Sequence, residues 1–100
     1  DESLDMIKKI GFELKNEFKN LIFLATTKHN SKPSILLLIS EDLVNKFNFD
    51  SRTIINDLSV YIDGGGGGQQ FFSTAGGKNI DGLSKVISIG KKMILEKVSV

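Results

Sequence analysis

Residues 63–77 read Asp-Gly-Gly-Gly-Gly-Gly-Gln-Gln-Phe-Phe-Ser-Thr-Ala-Gly-Gly, and Lys78-Asn79 follow. Glycine carries no side-chain chemistry, so any chemistry here belongs to the backbone. Successive glycine N–H groups can form a concavity for phosphate oxygens. The turn Gly76-Gly77-Lys78-Asn79 leads into a predicted helix, whose free N–H groups and dipole favour an anion, and Lys78 adds a positive charge. The competing reading is mechanical: glycines Gly64, Gly65, Gly66, Gly67 and Gly68 let backbones pack closely with no ligand, and Gly76-Gly77 form an ordinary capped turn. A run of this kind loses more conformational entropy on folding than any other residue type, so a compact domain keeps it for a reason. Phe71 and Phe72 are consecutive on a predicted strand and face opposite ways. One is expected in the core; the other, Phe72, is a candidate to stack on a base or to lie under a covering helix. Between residues 78 and 97 the lysines Lys78, Lys85, Lys91, Lys92 and Lys97 face only Asp81 and Glu96. That excess suits a face that binds a phosphate backbone, and equally a solvated helix face.

Enzyme chemistry finds little to work with. A nucleotide-binding phosphate loop needs a preceding strand and a terminal Gly-Lys-Ser/Thr; here a predicted helix precedes the glycines and Gln69-Gln70 follow. The dinucleotide fingerprint fails for the same reason. The chain has no cysteine, which removes disulfides, thiol catalysis and zinc–thiolate sites. His29 is the single histidine, in a polar turn beside Lys28 and Lys32, and makes neither a triad nor a metal site alone. It is read as having no functional role, with phosphate contact as the second reading. The acids Glu41, Asp42, Asp50, Asp57 and Asp63 fall at helix ends or on solvent faces, with no buried carboxylate pair.

The elements that must position these residues follow from periodicity. Leu4, Ile7, Ile10, Leu14, Phe18 and Leu21 predict an amphipathic helix over about 2–19, with Gly11 marking a close packing contact. The run 21–27 reads as a buried strand and 34–39 as its hairpin partner, joined by the polar turn 28–33. Ser40 caps a short helix over 41–47, and Glu41 and Asp42 lie in its first turn. Asp50 or Ser51 caps a third helix with Ile54, Ile55, Leu58, Tyr61 and Ile62 inward, which the glycine run ends. A third strand spans 69–75, and Asn79 caps a last helix to about Lys97 with Leu83, Val86, Ile87, Met93 and Ile94 inward. The predicted fold class is α/β: a small mixed sheet of three to four strands packed with helices.

At 100 residues the chain makes one globular domain, 1–100, and 40% hydrophobic with 25% charged is ordinary for a globular chain. The net charge of +1 argues neither for nor against nucleic acid. No apolar run approaches the ~20 residues a spanning helix needs. The first 20 residues show no signal-peptide pattern, and the chain opens on Asp1 rather than Met, so it is read as an excised piece of a longer protein.

Helix, Asp63-Gly64 to Gly68, a seven-residue spacer ending in Ala75, Gly76-Gly77-Lys78-Asn79, then helix: this order resembles the C-terminal domain of alanyl-tRNA synthetase. That domain is of the DHH-associated group shared with DHH phosphoesterases. The resemblance extends over about residues 1–97, and its specific part is 54–83. The family commonly has Arg-Pro-Asp-Met-Ala-Gln-Ala in the spacer; here Gln69, Gln70, Phe71, Phe72, Ser73, Thr74 and Ala75 stand there, so Gln69 takes the place of the arginine. Phosphoesterase relatives usually place a histidine after the glycines, and none does so here. The resemblance implies a cytoplasmic parent ligase that joins alanine to its tRNA, using ATP, magnesium and zinc outside these residues. It also implies an accessory, non-catalytic role for this domain: contact with the tRNA elbow, with no cofactor of its own, no membrane partner, and a homodimer through an adjoining helical region. Carried onto this sequence, the RNA-binding residues are Gly64 to Gly68, Gln69, Phe72, Gly76, Gly77, Lys78 and Lys85. Two alternatives stand beside it: the substrate-binding domain of a DHH phosphoesterase, and a non-catalytic dimerisation module using apolar residues such as Leu4, Met6 and Ile7.

Overall fold

The computed structural model describes residues 3–98. Helix α1 (Leu4–Glu17) opens on Ser3, whose side chain accepts a hydrogen bond from the Met6 amide; the predicted start at residue 2 lies outside the described residues. Strands β1 (Ile22–His29) and β2 (Lys32–Ile39) form a hairpin. Helices α2 (Glu41–Phe47) and α3 (Ser51–Ser59) follow, then one 3-10 turn at Val60–Ile62. A second hairpin comes next, β3 (Gly65–Gln69) and β4 (Phe72–Gly76). A 3-10 turn at Ile80–Gly82 feeds the last helix, α4 (Leu83–Val98). The α/β class is as expected. The four strands lie in the order β1-β2-β4-β3, and every neighbouring pair is antiparallel.

The sheet has two unequal faces, because side chains alternate along each strand. Ile35, Leu37 and Ile39 of β2 point to one face and join Ile54, Ile55, Leu58, Ile62, Ala75 and Val86 in the main core beneath α3 and α4. Gly90 lets α4 close on Leu24 and Leu58: a methyl there would stand 2.6 Å from Leu24 Cδ2. Leu36 and Leu38 point to the opposite face and are also buried. There α1 lies over Phe23 and Leu38, and Gly11 makes the predicted close contact, with added Cβ 2.8 Å from Phe23 Cδ2. The contact is narrower than the apolar stripe of α1, so Ile10 and Phe18, expected inward, are exposed.

Three expectations change. The polar turn 28–33 shrinks to Asn30-Ser31, both in the left-handed region at φ 53° and 64°. Such a two-residue turn matches the twist of the flanking strands, so both strands run further into it. Ser40 begins α2 without a side-chain cap bond; its Oγ instead accepts from the Leu21 amide at 2.7 Å, tying the two ends of the first hairpin together. Most consequentially, the glycine run is a strand rather than a loop, and the strand predicted over 69–75 is divided by the Gln70-Phe71 turn.

Candidate nucleic-acid interface

Asp63 ends the helical segment in the left-handed region at φ 52°, and the Gly64 amide donates to the Ser59 carbonyl at 3.0 Å. From Gly65 the chain is extended and pairs with β4: Gly65 with Gly76, Gly66 with Ala75, Gly67 with Thr74, Gly68 with Ser73 and Gln69 with Phe72. Glycine is a poor strand former because it has no side chain to pack. What holds β3 in place is the free edge of β4 and a close approach that only glycine permits. A methyl at Gly64, Gly66 or Gly68 would overlap the neighbouring carbonyls of Gly76, Thr74 or Phe72. At Gly65 and Gly67, by contrast, a methyl would meet nothing within 4 Å. The run therefore divides by parity: the even glycines are required by packing, and the odd ones open onto bare space.

Register shows what that space borders. Gly65, Gly76, Ser34 and Thr27 form one row across the four strands, and Gly67, Thr74, Leu36 and Ala25 form the next. This is the face opposite the main core. Helix α1 lies over the end around Phe23, Leu38 and Phe72, and Leu36 and Thr27 of the two rows are buried as well. The uncovered part is paved at β3 and β4 by the exposed Gly65, Gly67 and Gly76, beside the half-buried Thr74 and Ser34. It is a flat shelf of backbone rather than a pocket.

Neither anion nest read from the sequence survives. A nest needs consecutive N–H groups turned into one concavity, and the extended β3 turns them alternately outward. At the second glycine pair the amides are already engaged. Gly77 donates to the Pro33 carbonyl at 3.1 Å, and Lys78 and Asn79 both donate to the Ile62 carbonyl at 2.8 and 2.9 Å. The Asp81 amide donates to the Asn79 side chain at 3.1 Å. Lys78 itself is exposed and stands at the shelf's end, one residue beyond the Gly77–Pro33 bond.

The remaining candidates fall in different places. Phe72 lies on the shelf side, but its ring is 5.2 Å from that of Phe12 on α1, and the Lys8 ammonium stands 5.5 Å over it. It is thus occupied as a clamp for α1. Phe71 packs against the core, with the Lys15 ammonium 5.1 Å above its ring. Gln69 is exposed, and its carbonyl accepts from Ser51 Oγ at 2.6 Å. Ser51 Oγ also lies 2.6 Å from Ser73 Oγ, and the Ser51 amide donates to the Gln70 carbonyl at 2.8 Å. This buried polar knot fixes the β3–β4 turn to the start of α3. Lys85 is on α4, in the layer across the sheet from the shelf, so it does not join Lys78, Gly65 and Gly67 on one surface. Asp50 caps α3 through the Arg52 amide at 3.0 Å, and the Arg52 guanidinium, hydrogen-bonded to it, holds its carboxyl below the usual carboxylate range. Among the described residues no group of three or more His, Cys, Asp or Glu is placed to hold a metal. No described helix is long and apolar enough to cross a membrane.

Comparison with known proteins bears on what such a shelf serves. No protein-family model matches the chain. It is 39% identical over 92 residues to the alanine–tRNA ligase of Cytophaga hutchinsonii, a match spanning 92% of this chain and 10% of that protein. Its homologues are alanine–tRNA ligases. Those of Christiangramia forsetii and Bacteroides thetaiotaomicron are also 39% identical, over 88 and 84 residues. The chain spans about a tenth of the length of these curated alanine–tRNA ligases. Among solved structures, the C-Ala domain of Aquifex aeolicus alanyl-tRNA synthetase matches with a TM-score of 0.78 and 18% identity, covering all of this chain and 85% of that one. The fold is therefore that of the C-Ala domain, including a four-stranded antiparallel sheet packed with helices.

Proposed function

We propose that this chain is the tRNA-binding accessory domain of an alanyl-tRNA synthetase, holding the folded tRNA at its elbow while the parent ligase charges and edits the acceptor end. The observation that carries the reading is the parity of the glycine strand. Gly65 and Gly67 have room for side chains and carry none, which leaves a flat surface that RNA backbone or an exposed base pair can approach closely. Gly76 continues that surface, and Lys78 supplies charge at its end. Recognition of this kind reads the shape and phosphates of folded RNA rather than sequence. The homologues named above support the synthetase assignment. With a net charge of +1, affinity of the isolated chain is expected to be weak and salt-sensitive.

The test is a salt-series titration of the chain with tRNA for alanine, an unrelated tRNA and a short RNA duplex. Binding to both tRNAs but not to the duplex, weakening with salt and lost in Lys78→Glu, is the expected result. A folded sample that binds none of them at low salt overturns the reading.

A further inference from the structure

The shelf does not end at β4. Along β1 and β2 the row Ser34–Thr27 is followed, two residues outward on the same face, by the pair Lys32 and His29. Both are exposed. Lys28, also exposed, pairs with Pro33 and so points to the other face; it is the Pro33 carbonyl that receives the Gly77 amide at 3.1 Å. His29, Lys32 and Lys78 are thereby gathered at one end of the sheet, with Gly65 and Gly76 continuing the face of His29 and Lys32 inward. Residues 21–40 contain no Asp or Glu at all. Asp63 and Asp81 are the acids nearest Lys78 along the chain, and Glu17 and Glu41 those nearest the hairpin. The hairpin tip is closed by two residues that both hold left-handed backbone, which carries the strand register out to His29 and Lys32.

We propose that the β1–β2 hairpin is a second RNA contact: Lys32 and His29, with Lys78, grip the phosphates of the strand that lies across the glycine shelf. This rests on the tRNA-binding reading above and adds to it a direction. The bound backbone runs across the sheet, from β3 and β4 toward the tip of the first hairpin, and not along α4. Flat glycine surface lets the RNA come close, and the cations at the end of the shelf meet its charge. Each lysine engaged releases condensed counterions, so each one removed lowers the slope of log affinity against log salt by about 0.7–0.9.

The experiment compares the wild-type chain with two variants against the same tRNA over a salt series: His29→Ala/Lys32→Ala at the hairpin tip, and Lys91→Ala/Lys92→Ala on α4. All altered residues are exposed, and thermal melts check that both variants stay folded. The expected result is a slope about 0.7–0.9 units shallower and an affinity lowered severalfold for the tip variant, with the α4 variant near wild type. If wild type binds and the tip variant binds with unchanged slope, the hairpin contact is refuted while the tRNA reading stands. If the α4 variant shows the larger loss, the direction assigned to the RNA is wrong. If wild type does not bind, the tRNA reading fails first and takes this proposal with it.

Discussion

Two neighbouring glycines provide the sharpest consequence of the structure. A methyl at Gly66 would overlap the Thr74 carbonyl and stand 2.5 Å from Ala75 Cα, so β3 must be pushed off β4 to accept it. Overpacking against backbone of this kind costs about 3 kcal/mol or more. At Gly67 a methyl meets nothing within 4 Å, and Gly68 is the one glycine at which positive φ occurs among the described residues. Gly67→Ala therefore loses only unfolded-state freedom, which stabilises by about 0.4–1 kcal/mol. In a domain of this size 1 kcal/mol moves the melting temperature by about 4–8 °C. Gly66→Ala is expected to melt at least about 12 °C lower than wild type, and Gly67→Ala no lower than wild type and up to about 8 °C higher. Paired thermal melts followed by circular dichroism decide it, with urea midpoints as a check. Equal shifts for the two variants, or a larger loss for Gly67→Ala, would refute the parity on which the shelf rests.

Further expectations concern the supports of the shelf. Ser51→Ala removes a hydroxyl from the knot that joins Gln69, Ser73 and α3; Ser73 Oγ keeps its own 3.2 Å bond to the Gln69 carbonyl, so the loss is about 1–2 kcal/mol, read as a lower urea midpoint at unchanged m-value. Asp50→Ala removes the side-chain cap of α3 and costs about 0.5–2 kcal/mol. Asp50→Asn keeps a capping oxygen and isolates the charge. Because the Arg52 hydrogen bond lowers the folded carboxyl below its ordinary value, wild type has its full advantage over Asp50→Asn above about pH 4. That advantage is lost as pH falls further, through the lowered folded value; melts from pH 7 down to pH 2.5 test the sign. Gly11→Ala gains about 1 kcal/mol of helix propensity but sets a methyl 2.8 Å from the Phe23 ring; α1 must lift, so the Lys8–Phe72–Phe12 stack loosens and the near-ultraviolet circular dichroism changes.

Much of the helical layer was legible because apolar residues recur at helical spacing and acids or hydroxyls precede each run. Ser40-Glu41-Asp42 marks the start of α2, Asp50 caps α3, and Gly11 announced the approach of Phe23. Strand β3 was not legible, since a period of two cannot be seen in residues without side chains, and its pairing depends on an edge of β4 that only the fold supplies. The same is true of the Asn30-Ser31 turn, where a non-glycine pair takes left-handed backbone without the Asn-Gly signal. Within the site, Gly65, Gly67, Gly76 and Lys78 were named from composition and spacing, but their role stood open between an anion nest and close backbone packing. Only the hydrogen bonds of Gly77, Lys78 and Asn79 to Pro33 and Ile62 reveal that those amides are spent. Phe72 was open in sequence to stacking on a base or to lying under a covering helix, and the ring of Phe12 on α1 lies against it. The hairpin cation Lys32 was passed over, since its proximity to Lys78 is created by the register of β2 with β4.

The most direct test of the central claim is amide chemical-shift mapping of the labelled chain as tRNA is added. The shelf predicts that the largest changes fall on Gly65, Gly67, Gly76 and Lys78 and spread to His29 and Lys32, with α4 beyond Lys91 unmoved. Changes confined to α4, or none at all in a folded sample at low salt, would contradict it.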